Sequence, residues 1–169
     1  MRHLPLLGLL LIAAPAVAAP IATFDDPKAL LEAIYDQIAS YEENWEDFDP
    51  DASFDDRQAF SHDLSALLEE ADRVVKADGS EMGALDFSPF INGQDSGGMA
   101  FTIGEPKVKG DRATAEVEIT FLGEPHQTIG FELVDEGHDG WKIDDIILPP
   151  FEDGLPLRLS DYLADPLAP

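Results

Sequence analysis

An acidic run between positions 47 and 58 has the spacing of a calcium-binding loop. Oxygen-bearing side chains occupy alternate positions, namely Asp47, Asp49, Asp51, Ser53 and Asp55, as the ligands of such loops do. The most demanding positions differ, because Ala52 replaces the turn glycine and Gln58 replaces the bidentate glutamate. The sequence therefore favours a solvated acidic turn before a helix over a calcium site, and it predicts no metal ligands.

A second group of polar residues lies at positions 86–95, a stretch that we call the polar loop. Its candidate ligand-binding side chains are those of Asp86, Asn92, Gln94 and Asp95. Apolar residues separate them, so the loop combines hydrogen-bonding groups with apolar surface, as a pocket mouth does. The same residue types also fold loops by bonding to nearby backbone. If the protein has a binding site, we expect these four residues to line it.

Asp145 is the third candidate, because it follows Trp141 and Ile143 at strand spacing. In a regular strand these three side chains share one face, and an unpaired carboxylate there would have a raised pKa suited to a general base. The alternatives are a bulge at Asp144 and Asp145, or a bond from Asp145 to a backbone amide or to Arg158. We expect Trp141 and Asp145 to contribute to binding and assign no catalytic residue.

Three histidines outside the N-terminal segment are candidates for zinc or general-base chemistry. His62, His126 and His138 include no pair at the i, i+4 spacing of metal ligands. No nucleophile elbow accompanies them. We therefore expect all three to be solvated and predict no cofactor.

Two helices are predicted to come first among the elements that position these residues. Asp26 before Pro27 is typical of an N-cap with proline at the first helical position, and apolar residues then recur at helical spacing. A second amphipathic helix is predicted to begin near Arg57 and to stop at Asp78 and Gly79. Both apolar stripes are expected to face a core.

From Met99 onward the hydrophobic period changes to two. The clearest alternation places apolar residues at Ala113, Ala115, Val117, Ile119 and Phe121. Similar patterns around Ile129 and Trp141, with glycine-containing turns between them, predict an antiparallel meander with one wet face. The expected fold class is α+β, with N-terminal helices packed on a curved four-stranded antiparallel sheet and a short helix from Leu159 to Leu163.

Three short runs within this layout carry a family resemblance. They are Pro-Phe-Ile-Asn-Gly-Gln-Asp at positions 89–95, Trp-Lys-Ile-Asp-Asp-Ile at 141–146 and Leu-Arg-Leu-Ser at 157–160. With them, positions 27–164 resemble the bacterial domain of unknown function 3828, a family of exported or lipid-anchored proteins. Ser88 departs from the acidic residue that the family favours before its proline. The resemblance implies a nuclear-transport-factor-2-like cone of helices and curved sheet around a pocket, and it implies no reaction.

Composition restricts the partners, because 35 acidic residues stand against 10 basic ones and the net charge is −25. Such a chain repels nucleic-acid phosphates and anionic lipid head groups. We therefore predict no nucleic-acid partner and no membrane binding after removal of the signal peptide. A small apolar molecule or a protein partner remains as the expected ligand.

The first 18 residues have the pattern of a secretory signal peptide. A basic start with Arg2 precedes an apolar stretch, and Ala16 and Ala18 supply small residues at a cleavage site. We expect cleavage after Ala18, one α+β domain over residues 19–169, and a periplasmic or secreted location. The chain has no cysteine, so it can form no disulfide and carry no lipid on a cysteine.

Two functional hypotheses follow from the sequence. The favoured one is an exported, non-catalytic binding or interaction domain, because no arrangement of residues carries a complete catalytic site. The alternative is a small cofactor-free isomerase or hydrolyase that uses a pocket carboxylate, with Asp86, Asp95 or Asp145 as the base. An apolar interior filled by the chain's own aromatic rings favours the first, and a buried carboxylate facing an open cavity favours the second.

Overall fold

The computed structural model describes residues 23–43, 56–150 and 155–167. The predicted signal peptide and the acidic run at positions 47–55 lie outside them. The described helices are α1 (Pro27–Glu43), α2 (His62–Ala77) and α3 (Leu159–Ala164), with short 3₁₀ turns at Asp56–Ala59 and Gly137–Asp139. None of the helices in the described ranges is long and apolar enough to span a bilayer.

The described strands form one antiparallel sheet, which confirms the α+β class. Its strands are β1 (Met99–Ile103), β2 (Lys107–Lys109), β3 (Arg112–Phe121), β4 (Glu124–Asp135), β5 (Trp141–Leu148) and β6 (Leu157–Arg158). They are ordered β1-β3-β4-β5-β6, and β2 pairs with β3 beyond the end of β1. The described residues thus form six strands rather than the predicted four. The additional strands β2 and β6 have three and two residues, too few to show a period of two.

Helix α1 begins where the sequence predicts. The Asp26 carboxylate accepts hydrogen bonds from the backbone amides of Lys28 at 2.7 Å and Ala29 at 3.2 Å, which satisfies two of the free N–H groups at the helix start. Pro27 occupies the first helical position, where its missing N–H costs nothing.

Helix α2 begins five residues later than predicted because the chain first attaches to the sheet. Phe60 bridges to Ile143 in β5, and the amide of Ser61 donates to the Ile143 carbonyl at 2.8 Å. The Ser61 hydroxyl then caps the helix by accepting from the amide of Leu64 at 3.1 Å. Phe60 therefore anchors the connection before the helix instead of joining the helix stripe.

The core lies between the helices and one face of the sheet. Burial along β3 alternates as predicted as far as Ile119: Val117 and Ile119 are buried while Glu116 and Glu118 are exposed. Phe121, predicted on the same buried face, is 43% exposed, because the register with β4 shifts after Ile119. The helices, the polar loop and the inner face of the sheet together supply the largest fully buried side chains of the described residues, which include Tyr35, Phe90, Phe131, Leu30, Leu31, Ile34, Leu64, Ile119, Ile129, Leu133, Ile143 and Ile146. The chain's own side chains therefore fill the space between the layers.

A bulge in β5 changes which residues face this core. Ile143 pairs with Leu133 and Asp145 pairs with Glu132, so Asp144 is an extra residue between two register positions. Asp145 consequently lies on the sheet face opposite to Ile143. A regular strand would have placed the two side chains on the same face.

Candidate functional site

The polar loop folds back on itself through short backbone bonds. The amide of Ser88 donates to the Gly93 carbonyl at 2.8 Å, and the Gln94 side chain donates to the Asp86 carbonyl at 2.9 Å. Asn92 adopts a left-handed conformation with φ of 47°, which asparagine tolerates better than most residues. The loop is thus a compact turn whose ends are hydrogen-bonded together.

Two side chains from elsewhere in the fold anchor the polar loop. The buried Tyr35 hydroxyl donates to the Phe90 carbonyl at 2.7 Å, and burial raises the pKa of Tyr35 far above its usual range. The side chain of Gln127 in β4 donates to the Ile91 carbonyl at 2.6 Å and accepts from the side-chain amide of Asn92 at 3.3 Å. Asn92 is therefore occupied in holding the loop to the sheet. No local pattern in the sequence predicts this role for Gln127, because it depends on the register of β4 against β3, which shifts beside it.

Cleft A is an open cavity of 490 Å³ on one side of the polar loop. The half-buried Leu85 and Phe87 supply its accessible apolar surface. The buried rings of Phe60 and Phe90, stacked at 5.9 Å, lie behind them and support the cleft floor. Asp86 is exposed at this cleft, and Arg57, which lies 3.6 Å from Asp72, also lines it. The cleft therefore joins aromatic surface to charged groups at its rim.

Cleft B is an open cavity of 430 Å³ on the other side of the same loop. Ile38 and Ile91 supply apolar surface, and the Tyr41 ring is 47% exposed. Asp95 lines this cleft while its carboxylate accepts a hydrogen bond from the Gly97 amide at 2.8 Å. Clefts A and B share Ser88 and Gln94, so the polar loop forms the wall between them.

Asp145 and Trp141 line neither cleft. Trp141 is buried in the core, and its amide donates to the Phe24 carbonyl at 2.8 Å. The Asp145 side chain is 5% exposed and its oxygens accept from the amides of Ile146 at 2.8 Å and Ser160 at 3.0 Å. The Ser160 hydroxyl at 2.6 Å and the Arg158 guanidinium at 2.7 Å complete its surroundings. Asp145 therefore has the alternative arrangements named in the sequence analysis: a bulge at Asp144, a bond to a backbone amide and an ion pair with Arg158.

Arg158 links Asp145 to the outer face of the sheet. It also forms a bidentate pair with Glu132, at 3.0 and 2.7 Å. The two carboxylates raise the pKa of Arg158, with the bond to Glu132 as the largest cause, so the guanidinium stays charged. This network fastens α3 and β6 to β5 and leaves Asp145 without a free position for a substrate.

The histidines contribute one contact of interest. The Nδ1 atom of His62 lies 2.8 Å from the Glu136 carboxylate, whose other oxygen accepts from the His62 amide at 2.9 Å. Asp139 is nearby, and ligand atoms of the three residues lie within 4.8 Å of one another. Both Glu136 oxygens are engaged in fastening the start of α2 to the β4–β5 turn. His126 and His138 are exposed, as expected.

Comparison of the chain with family models, curated proteins and solved structures finds no match. The assignment of a site therefore depends on the geometry of this chain alone. Of the six residues predicted to bind a ligand, Asp86, Gln94 and Asp95 lie at the two clefts. Asn92 supports the loop, while Asp145 and Trp141 stabilise the fold.

Proposed function

We propose that this protein is an exported, non-catalytic binding domain that holds a small, mostly apolar molecule at cleft A. The observation that supports it is the combination of accessible apolar surface from Leu85 and Phe87 with the exposed carboxylate of Asp86. Apolar surface supplies affinity in such sites, and a few polar groups fix the orientation of the ligand. Gln94, hydrogen-bonded to the Asp86 backbone, holds that rim in place.

The contents of the interior support binding without catalysis. Phe90 and Trp141 are 1% and 6% exposed, so these rings occupy space that a cone-shaped pocket would leave to a substrate. Asp145, the most deeply placed of the three candidate bases, has all its bonds within the protein. A general base needs a position next to the proton that it removes. No contact of the described residues favours the isomerase or hydrolyase alternative.

The export of the protein and its membership of the domain of unknown function 3828 family remain part of this proposal. They rest on the N-terminal pattern and on the three sequence runs described above. The two-layer arrangement of helices on an antiparallel sheet is compatible with the nuclear-transport-factor-2-like fold. The ligand would then bind at the edge of the fold, beside the polar loop, instead of inside a cone.

A variant that fills cleft A tests the proposal. Gly93 lines this cleft, and a Cβ atom built there meets only the Ile91 carbonyl, at 3.7 Å. Gly93→Leu is therefore expected to occupy the cleft without disturbing the fold. Nile red, a neutral apolar dye that fluoresces in apolar sites, is the probe. We expect the wild type to bind it with a stoichiometry near one and Gly93→Leu to bind at least tenfold more weakly.

Glu69→Leu is the matched control, because it adds the same side chain to an exposed position of α2. This variant is expected to bind the dye as the wild type does. Circular dichroism verifies that both variants are folded. Equal dye binding by the wild type and Gly93→Leu would then contradict the assignment of cleft A as the binding site.

A further inference from the structure

The turn between β3 and β4 holds a leucine in a backbone conformation that leucine rarely adopts. Phe121 pairs with Glu124, so Leu122 and Gly123 alone make the turn. Their φ angles are 51° and 86°, as in a type I′ turn. Asparagine, aspartate or glycine is favoured at the first of these positions because an ordinary side chain is strained there. Residues held in such conformations cluster at functional sites.

The strained residue belongs to an exposed apolar pair, Phe121 and Leu122, that we call the apolar tip. Leu122 is 76% exposed and Phe121 is 43% exposed. The tip is held in place, since the Leu122 amide donates to the Gly98 carbonyl at 2.9 Å. Gly98 also leaves room for both side chains, because a Cβ atom built there would lie 3.1 Å from Leu122. The fold thus presents two large apolar side chains to solvent in a fixed position.

The charges around the apolar tip indicate what it contacts. The neighbouring stretches 95–104 and 116–128 contain four acidic residues, Asp95, Glu116, Glu118 and Glu124, and no lysine or arginine. Glu124 pairs with Phe121, whereas Glu116 lies at the far end of β1 beside Gly104. The ring of His126 lies 6.1 Å from that of Phe121. An anionic membrane is repelled by this end of the molecule, and so is a second copy of a chain whose net charge is −25. A surface with basic groups around an apolar pocket is complementary to it.

We propose that the apolar tip docks into a protein partner whose apolar pocket is bordered by lysine or arginine side chains. The large side chains of Phe121 and Leu122 fill the pocket, and the surrounding carboxylates face the basic rim. Anchors of this kind, buried at the centre of an interface, carry most of the binding energy. The proposal goes beyond the small-molecule function, because neither tip residue lines cleft A or B.

The first test separates a binding role from a structural one. Leu122→Asn places a favoured residue in the turn and removes the apolar side chain, so we expect the thermal unfolding midpoint to rise by roughly 2–4 °C. Val108→Asn is the control, since Val108 is 55% exposed on β2, and it is expected to give no such rise. A lower midpoint for Leu122→Asn would overturn the proposal, because Leu122 would then support the fold.

The second test identifies what the tip touches. A photo-crosslinking amino acid is introduced at position 122 or at position 108, which lies near the opposite end of β3, and the exported fraction of the producing cells is irradiated. We expect one protein to be linked specifically from position 122, through an apolar segment with nearby Lys or Arg. Its binding to the immobilised wild type is expected to fall at least tenfold with Leu122→Asn and to weaken as salt rises.

Several results would overturn the docking proposal without affecting cleft A. They are links to a second copy of this chain, equal links from both positions, or no link from position 122. Tip-dependent binding to vesicles of phosphatidylcholine alone would do the same, since it would make the partner a neutral lipid surface. Nile red binding by Leu122→Asn is expected to equal that of the wild type, so the two proposals fail separately.

Discussion

Removing the carboxylate of Asp145 is expected to destabilise the protein strongly. In Asp145→Ala, the buried amide of Ile146 and the half-buried amide and hydroxyl of Ser160 lose their acceptor, and a loss at a fully buried group costs about 1–3 kcal/mol. Arg158 keeps Glu132 but loses its second carboxylate. Together these losses predict a decrease of about 3–5 kcal/mol in the free energy of unfolding. The lost acceptors are the main part, because Arg158 is 40% exposed and stays paired with Glu132.

Asp145→Asn gives a graded version of the same test. Its amide oxygen can still accept from the two backbone amides, whereas its NH₂ group would face the Arg158 guanidinium. We expect a loss of about 2 kcal/mol, the value of a hydrogen bond to a charged group. Asp144→Asn is the control, because Asp144 is the neighbouring residue and forms a more exposed ion pair with Arg112. Its loss should stay below about 1 kcal/mol.

Urea unfolding at neutral pH, followed by circular dichroism and tryptophan fluorescence, measures these differences. Equal losses for Asp144→Asn and Asp145→Asn would refute the argument that Asp145 is a structural residue. A gain in stability for Asp145→Asn would refute it more directly, because functional carboxylates are often kept at a cost in stability. That result would restore Asp145 as a candidate general base.

Three further predictions concern the core, the loop anchor and the surface charge. Val117→Asp, at a fully buried position, should cost several kcal/mol and Glu118→Lys less than about 0.5; comparable losses in urea unfolding would contradict the register of β3. Tyr35 has a raised pKa in the folded state, so the stability that its neutral phenol contributes is complete below about pH 10. Above that pH the free energy of unfolding should decrease by about 1.4 kcal/mol per pH unit in alkaline denaturation. Tyr35→Phe should lack this decrease, and parallel plots of unfolding free energy against pH for the two proteins would contradict the burial of the phenol. The net charge of −25 predicts that the thermal unfolding midpoint rises with NaCl, because salt screens the repulsion between like charges. Between about 0.05 and 1 M NaCl the screening length changes roughly fivefold. An unchanged midpoint over that range would contradict the role of charge repulsion.

Hydrophobic periodicity predicted the elements whose signal lies within one segment. The N-cap at Asp26 and the stop at Asp78 and Gly79 depend on neighbouring residues, and both agree with the structure. The alternation in β3 agrees because one face is buried and the other is wet. These features needed no information about distant parts of the chain.

Features that depend on distant residues were missed. The start of α2 moved because Phe60 and Ser61 attach to Ile143, more than 80 residues later. The bulge that turns Asp145 to the other face results from its pairing with β4, which a single strand does not reveal. Gln127 likewise acts through a contact with Ile91, 36 residues earlier.

The candidate site was predicted in part. Its polar loop was identified from residue types, because aspartate and asparagine favour turns by bonding to nearby backbone, and polar groups beside apolar ones are typical of binding sites. Which of these side chains lie at an opening depends on three-dimensional packing, so Asp86 and Gln94 could not be separated from Asn92 in advance. Trp141 was assigned to binding because a regular strand would place it on the same face as Asp145, whereas the bulge in β5 separates the two and leaves Trp141 in the core.

The most direct test of the proposed binding function is the native mass of the protein purified from its own cells. We expect part of the wild type to carry the additional mass of a small molecule, and Gly93→Leu, prepared in the same way, to lack it. The Glu69→Leu control should carry the same additional mass as the wild type. A wild-type protein with only the mass of its polypeptide, at every salt concentration tried, would contradict the claim that cleft A binds a small molecule.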